Sequence, residues 1–202
     1  MVKHASLALA VLALASIFAA FPAAQSGGSR RSVGPIMAKV TIDVYSDFQC
    51  PHCKVLAEET LNRVMEDYAL KGAVRLVHHD FPLPMHQYAK QAALFAAAAD
   101  RVGKFEPVSQ ALFKLQDTWA ANGKVEEAVD SVLTPAEAKQ VRELAKDPAV
   151  AAVVQRDIDL GTRLNITSTP TIILTKNLKS DRVAGAVSYT ILKRYLDQLL
   201  AN

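Results

Sequence analysis

Two cysteines, Cys50 and Cys53, are the only ones in this chain, and they lie two residues apart in the sequence CPHC. The residues before them, 40–45, are mostly β-branched or aromatic, which is typical of a buried strand. The residues after them carry apolar side chains at spacings of three and four, the period of an amphipathic helix. The two sulfurs are therefore expected on a strand-to-helix turn. Pro51 fits the first turn of that helix, where a missing N–H costs no intrahelical bond.

A strand-to-helix turn favours redox chemistry at the two sulfurs. The unpaired N–H groups and the positive end of the helix dipole stabilise a thiolate, and His52 acts in the same direction if it donates a hydrogen bond. A stabilised thiolate favours the dithiol, so the disulfide readily accepts electrons from other thiols. A zinc site would need a second ligand pair at similar spacing, and the chain has no third cysteine. A purely structural disulfide that closes so short a loop would stabilise little.

Three ordered segments resemble those of DsbA-like, thioredoxin-fold thiol:disulfide oxidoreductases. They are YSDFQCPHC at 45–53, HDFPLPMH at 79–86 and ITSTPT at 166–171. The resemblance extends from about Met37 to the C-terminus, and a Pro-His dipeptide between the cysteines is found in strongly oxidising members. It implies a redox-active disulfide between Cys50 and Cys53, with no cofactor and no metal.

The predicted elements agree with this resemblance. The sequence predicts strands at about 39–46, 74–79, 171–174 and 182–184, helices at about 52–71 and 189–200, and a helical region at about 86–165. The expected fold class is therefore α/β: a thioredoxin fold with an all-helical insertion between its β-α-β and β-β-α halves.

Pro170 precedes the third predicted strand, where a proline is ordinarily a loop residue that starts a strand. The resemblance implies a cis Thr169–Pro170 bond against the disulfide, with Thr169 offering its backbone to a substrate strand. Thr169 replaces the valine that is common in the oxidase branch and matches isomerase and reductase members. The direction of electron flow therefore stays open.

Several polar residues near these segments have no evident role. His78 and His79 are adjacent on a strand and face opposite ways, so one is expected to be packed and the other exposed. Many thioredoxin-fold proteins carry a buried acid six positions before the first cysteine. Here that position is Val44, and Asp43 lies one residue earlier, on the opposite face of the strand. Asp43 is therefore not expected to reach the second cysteine.

The last of these residues, His86, is expected to begin the insertion helix, where capping or surface exposure explains it.

The first 26 residues predict an export signal. Residues 5–24 carry no charge and are mostly apolar, and 24–26 form a small-x-small cleavage site. An uncleaved anchor is the alternative, because about 20 apolar residues can span a bilayer. Residues 27–36 are expected to be a flexible linker, and residues 37–202 a single DsbA-like domain. This domain is expected in a periplasmic or other extracytoplasmic compartment, where disulfides persist.

Three functions fit these observations. The first is an oxidase that introduces disulfides into reduced client proteins and is reoxidised by a membrane quinone-linked protein of the DsbB or VKOR type, as the resemblance implies. The second is a disulfide reductase or isomerase. The third, of another class, is a copper-binding module that uses both cysteines and a histidine.

The residues expected to perform exchange follow from the same segments: Cys50, Pro51, His52 and Cys53, with Thr169 and Pro170 against the client peptide. A formal net charge of +3 in 202 residues gives no reason to expect nucleic acid as a partner. The residues before Met37 are too few for the N-terminal dimerisation domain of dimeric isomerases of this family, so a monomer is expected.

Overall fold

The computed structural model describes residues 31–201, in which one mixed sheet is flanked by helices. The strands are β1 (Ser32–Val33), β2 (Val40–Ser46), β3 (Val74–Asp80), β4 (Thr171–Lys176) and β5 (Lys179–Ala184). Their order is β1-β3-β2-β4-β5; β2 and β3 are parallel, and the other neighbouring pairs are antiparallel. The thioredoxin-fold order predicted from the sequence is confirmed.

The helix that follows β2 begins directly after Cys50 and contains Cys53, and we call residues 51–69 the cysteine helix. It consists of α1 (Pro51–Val55), a π-helical segment (Leu56–Leu61), α2 (Asn62–Val64) and a second π-helical segment (Met65–Ala69).

The predicted helical insertion is present between β3 and β4. It comprises α3 (Ala89–Arg101), α4 (Phe105–Lys114), α5 (Gln116–Asn122), α6 (Val125–Asp130), α7 (Pro135–Leu144) and α8 (Pro148–Arg163); α9 (Tyr189–Ala201) closes the chain. The insertion begins three residues later than predicted, because residues 82–88 form a loop that turns back over the cysteine turn.

The segment before β2 departs from the flexible linker predicted for residues 27–36. Ser32 and Val33 pair with β3, and Arg31 is only 7% exposed between the carboxylates of Asp80 and Asp157. The glycine and serine content of the segment gives no sign of these ion pairs, because both partners lie far away in the sequence. Residues 1–30, with the predicted export signal, lie outside the described residues.

No helix within residues 31–201 is long and apolar enough to cross a membrane.

The core is divided by the sheet and the insertion into two main clusters. One packs β2 and β4 against the cysteine helix and α9, through residues such as Ile42, Leu56 and Leu196. The other fills the insertion, where the buried alanines of α3 meet Phe113 and Trp119, and it includes both cysteines. The cysteine turn therefore lies where the thioredoxin half meets the insertion.

Gly161 allows α8 to approach the sheet closely. A Cβ atom at this position would lie 2.6 Å from the Phe81 ring and 3.2 Å from the Tyr45 ring, closer than carbon atoms pack. The missing side chain lets Asp157, one turn earlier in α8, reach His79 on β3. This contact becomes part of a buried charge network described below.

Candidate active site

The two cysteines lie on the turn between β2 and the cysteine helix, as predicted. Cys50 has an extended backbone and is the residue that precedes the first helical turn, and Pro51 is the first helical residue. The N–H of Cys53 donates to the Cys50 carbonyl at 3.0 Å, which closes the turn. Both cysteines are free thiols.

Both sulfurs are shielded from solvent, but to different degrees. Cys50 is 5% exposed, and its Sγ lies 3.4 Å from the Thr169 carbonyl oxygen. Cys53 is 1% exposed, and its Sγ accepts the backbone N–H of Asp47 at 3.4 Å. An attacking thiolate can therefore reach Cys50 before Cys53.

The surroundings separate the acidities of the two thiols. The hydrogen bond between the two sulfurs is the largest influence on Cys50, and together with the backbone N–H groups of Cys53 and His52 it outweighs burial and lowers the Cys50 pKa to about 5. Burial acts first on Cys53, and the neighbouring Cys50 adds to it, so the pKa of Cys53 is raised far above its ordinary value. One sulfur is therefore held as a thiolate and the other as a thiol at neutral pH.

The Thr169–Pro170 peptide bond is cis, as the resemblance implied. Both residues are buried, and the Thr169 carbonyl faces the Cys50 sulfur. The two segments that were expected to form the site, 50–53 and 169–170, are thus brought together from opposite halves of the fold.

The side chain of Asp47 supports the cysteine turn, and the sequence predicted no role for this residue. Its fully buried carboxylate accepts the N–H groups of Gln49 at 2.7 Å and Leu83 at 2.8 Å, and lies 2.7 Å from Nδ1 of His86. Its main chain meets both cysteines, because its N–H points at Cys53 and its carbonyl accepts the Cys50 N–H at 3.0 Å. No pattern in the sequence indicates this convergence, since the partners lie on another loop.

The insertion holds the same turn from the other side. The buried side chain of Gln116, at the start of α5, donates to the carbonyls of Phe48 at 2.6 Å and Cys50 at 3.1 Å. The side chain of Gln49 accepts the N–H of Tyr88 at 2.7 Å. The turn that carries the two sulfurs is therefore held both by the loop 82–88 and by α5.

His52 has an exposed side chain at the start of the cysteine helix. Its contribution to the low pKa of Cys50 comes from its backbone N–H. The sequence had predicted that the His52 side chain would stabilise the thiolate.

The prediction that one of His78 and His79 is packed and the other exposed is wrong. They do face opposite sides of the sheet, but both side chains are largely buried, because each face is covered by a different helix layer. His78 stacks on Phe48, with Nε2 3.0 Å from Asp80. His79 lies against α8.

Asp43 faces away from the cysteines, as its strand position predicted. Its carboxylate lies 2.8 Å from Nε2 of His79, whose Nδ1 lies 3.2 Å from Asp157. Burial would lower the pKa of His79, but the hydrogen bonds to Asp157 and Asp43 raise it to about 9. Val44, at the position where many family members carry an acid, is buried among apolar side chains.

The expectation that His86 begins the insertion helix is wrong, because that helix starts at Ala89 and His86 instead pairs with Asp47. Within residues 31–201, no three His, Cys, Asp or Glu side chains are placed so that they could hold a metal ion. The copper-binding alternative therefore lacks a third ligand in this part of the chain.

Comparison with known proteins places this geometry in a family. The family model described as Thioredoxin matches residues 26–198. Disulfide bond formation protein D of Bacillus subtilis (strain 168) is 31% identical over 144 residues, which are 67% of this chain and 63% of that protein. The match thus spans less than two thirds of that relative's length.

Two solved structures share the fold. The crystal structure of Wolbachia pipientis alpha-DsbA1 has a TM-score of 0.70 at 18% identity, covering 85% of this chain and 90% of that one. Oxidised BdbD from Bacillus subtilis has a TM-score of 0.69 at 22% identity, covering 85% and 93%. The chain therefore belongs to the thioredoxin family, and its fold is similar to that of these two structures.

Proposed function

We propose that this protein is an exported oxidase that introduces disulfides into client proteins by exchange at Cys50 and Cys53. The observation that supports it most is the Cys50 thiol, whose pKa is lowered to about 5 beside a buried thiol. A stabilised thiolate favours the dithiol over the disulfide, which makes the disulfide a strong oxidant. The name of the Bacillus subtilis relative, Disulfide bond formation protein D, points in the same direction.

The proposed reaction begins with the Cys50–Cys53 disulfide. A client thiolate attacks Sγ of Cys50, the bond between the two cysteines breaks, and Cys53 leaves with the electron pair and takes up a proton. A second client thiolate then attacks the client sulfur of the mixed disulfide and expels the Cys50 thiolate. The client has lost two electrons, and the two cysteines have gained them.

The remaining predicted site residues have positioning roles in this proposal. Thr169 and Pro170 lie against Cys50, where the Thr169 backbone would pair with an extended client segment. Pro51 begins the helix without leaving an N–H unpaired. His52 supplies an N–H to the Cys50 thiolate.

The oxidised state must be regenerated, and we infer a membrane quinone-linked protein of the DsbB or VKOR type as the electron acceptor. Export rests on the apolar sequence of residues 5–24.

A reductase or isomerase is the second candidate, and Thr169 favours it, because isomerase and reductase members carry threonine where the oxidase branch carries valine. The two candidates differ in the reduction potential of the Cys50–Cys53 pair. An oxidase should lie well above the value of about −270 mV typical of thioredoxin, towards the roughly −120 mV of the strongest oxidants.

Equilibration of the purified protein with glutathione buffers measures this potential, and oxidation of a reduced dithiol peptide measures the activity. We expect a potential above about −200 mV and rapid peptide oxidation. Cys53→Ala should accumulate mixed disulfides at Cys50, although the loss of the Cys53 hydrogen bond raises the Cys50 pKa, whereas Cys50→Ala should accumulate none. A potential near that of thioredoxin, with no peptide oxidation, would exclude the oxidase and leave the reductase.

Alkylation of the reduced protein across pH tests the asymmetry on which the proposal rests. Cys50 should react with half its maximal rate near pH 5, because its pKa is lowered to that value, while Cys53 should stay unreactive below about pH 9. Mass spectrometry assigns each modification. Equal pH dependence of the two cysteines would contradict the assignment.

A further inference from the structure

A cavity of about 290 Å³ lies between the cysteine helix, the β2–β3 face of the sheet and α4. Its inner wall includes the buried residues Val44 and Ser46, and its mouth includes the exposed side chains of Glu58 and Gln110. A space of this size holds several water molecules, because one water needs only about 10–15 Å³ and a few polar partners. The cavity therefore connects solvent with the interior next to the cysteine turn.

Ser46 links this cavity to the second cysteine. It is the last residue of β2 and lines the cavity. The N–H of Asp47, on the peptide bond that follows Ser46, donates to Cys53 Sγ at 3.4 Å, and the Ser46 side chain lowers the pKa of Cys53, which burial raises. Ser46 therefore lies between the Cys53 sulfur and the cavity.

Cys53 needs such a link because it is 1% exposed and must gain or lose a proton in every exchange. The buried acid that many family members place nearby is absent: Val44 occupies its position and lines the same cavity. Asp43 points to the opposite face, where it contacts His79.

We propose that the proton of Cys53 passes through the Ser46 hydroxyl and water in this cavity, with His78 as a positioning residue in its wall. When the Cys50–Cys53 bond breaks, the Cys53 sulfur takes the Ser46 hydroxyl proton, and Ser46 takes a proton from cavity water that exchanges with solvent. When Cys53 later attacks a mixed disulfide on Cys50, the same proton leaves by the reverse route.

His78 is fixed well enough to order water. It lies directly across from Val44 in the β2–β3 register, its ring stacks on Phe48 with centroids 5.3 Å apart, and Nε2 is 3.0 Å from Asp80. Phe48, Phe105 and Asp80 thus hold the imidazole at a fixed position in the lining of the cavity. The other charged groups that line the cavity are Arg31 beside β1, Glu58 on the cysteine helix, and Glu106 and Lys114 on α4.

This inference rests on the proposed exchange at Cys50, and its test isolates the step that depends on Cys53. In stopped-flow reoxidation of the reduced protein by glutathione disulfide, Cys50 forms a mixed disulfide and Cys53 then loses its proton and closes the ring. Ser46→Ala should slow closure about tenfold, less than the roughly 10²–10⁴-fold of a complete general base, because water partly replaces the hydroxyl. The solvent isotope effect and the pH dependence of closure should change with it.

Ser109→Ala is the matched control, because it removes a hydroxyl that lines the same cavity from α4; its closure rate should not change. Ala57→Leu fills the cavity from the cysteine helix and leaves Ser46 in place. It should slow closure without lowering the thermal unfolding midpoint. His78→Phe retains the ring stack and should shift the pH dependence of closure in the same direction as Ser46→Ala.

Two failures are distinguishable. A wild-type protein that forms no mixed disulfide and oxidises no dithiol peptide would overturn the proposed function. A wild-type protein that exchanges normally, with closure rates and isotope effects unchanged in Ser46→Ala and Ala57→Leu, would overturn the proton route alone. If Ser46→Ala does not fold, the Ala57→Leu result decides by itself.

Discussion

The Cys50 thiolate depends on hydrogen bonds and main-chain groups more than on the imidazole between the cysteines. Cys53 and the first backbone N–H groups of the cysteine helix lower its pKa. The His52 side chain is exposed, so its interaction with the sulfur is weakened by solvent. A substitution that keeps the N–H and removes the ring should therefore change the redox properties little.

His52→Leu tests this directly. We expect the reduction potential to become more negative by less than about 30 mV, which corresponds to 1.4 kcal/mol for a two-electron couple. The physical reason is that leucine keeps the backbone N–H that faces Cys50. Glutathione equilibration measures the potential.

His52→Pro is the matched variant, because proline removes the N–H and is still tolerated in the first helical turn. It should raise the Cys50 pKa and lower the potential more than His52→Leu does. A larger effect of leucine than of proline would show that the imidazole, and not the main chain, stabilises the thiolate.

At the scale of elements, the cysteine turn is held by a loop and a helix that belong to other parts of the chain. The loop 82–88 supplies the N–H of Leu83 and the ring of His86 to Asp47, and α5 supplies Gln116 to the turn carbonyls. These contacts are buried, so each unpaired donor that a substitution leaves costs more than a solvated one would.

Asp47→Ala removes at once the carboxylate that hydrogen-bonds Gln49, Leu83 and His86. We expect a loss of about 3 kcal/mol in the free energy of unfolding, at roughly 1 kcal/mol for each lost hydrogen bond. Denaturant unfolding of the oxidised protein measures it. Asp117→Ala is the control, because its carboxylate is 87% exposed beside Lys54, and such ion pairs contribute roughly 0–1 kcal/mol. Equal stability of the two variants would show that the loop is held by other contacts.

Local patterns in the sequence predicted the helices and strands. They did not predict the contacts between side chains that lie far apart in the sequence. The capping box of Thr134 and Glu137 and the cap formed by Asp147 each join residues within three positions, so local sequence can indicate where such helices begin. The pairs Arg31–Asp157 and Asp47–His86 join residues 126 and 39 positions apart. No periodicity in the sequence predicts such pairs.

The same limit explains what the sequence missed in the candidate site. The cysteines and the cis proline lie in segments with recognisable local chemistry. Gln116 has a side chain that is common on any surface, and only the packing of α5 brings it into contact with the turn.

At the scale of the whole molecule, a buried charge network joins the start of the described chain to the sheet and to α8. Arg31 bridges Asp80 and Asp157 at 2.6 Å each, and His79 bridges Asp157 and Asp43. Burial alone would raise the pKa of Asp157, but the hydrogen bond from His79 and the charge of Arg31 lower it. The network therefore requires His79 to carry its proton.

The pKa of His79 rises from its ordinary 6.5 to about 9 on folding, so its contribution to stability is complete below pH 6.5 and is lost as pH rises through 9. The thiolate of Cys50 acts in the opposite direction in the reduced protein, because its lowered pKa adds stability as pH rises from about 5 towards 9. The effect of His79 is therefore measured in the oxidised protein, where neither cysteine titrates.

Unfolding of the oxidised protein by denaturant should show a fall in stability between pH 6.5 and 9, and His79→Gln should be less stable at pH 6 and nearly independent of pH across that range. The loss reflects two carboxylates, Asp43 and Asp157, that no longer face a cation.

Asp43→Asn should reduce the slope of stability against pH only in part, because Asp157 still holds the proton on His79. The same variant should leave the rate of peptide oxidation unchanged, since Asp43 faces away from the cysteines. A pH dependence of stability that is identical in wild type and His79→Gln would show that His79 is neutral in the folded protein, and a large loss of oxidation rate in Asp43→Asn would connect the network to the exchange reaction.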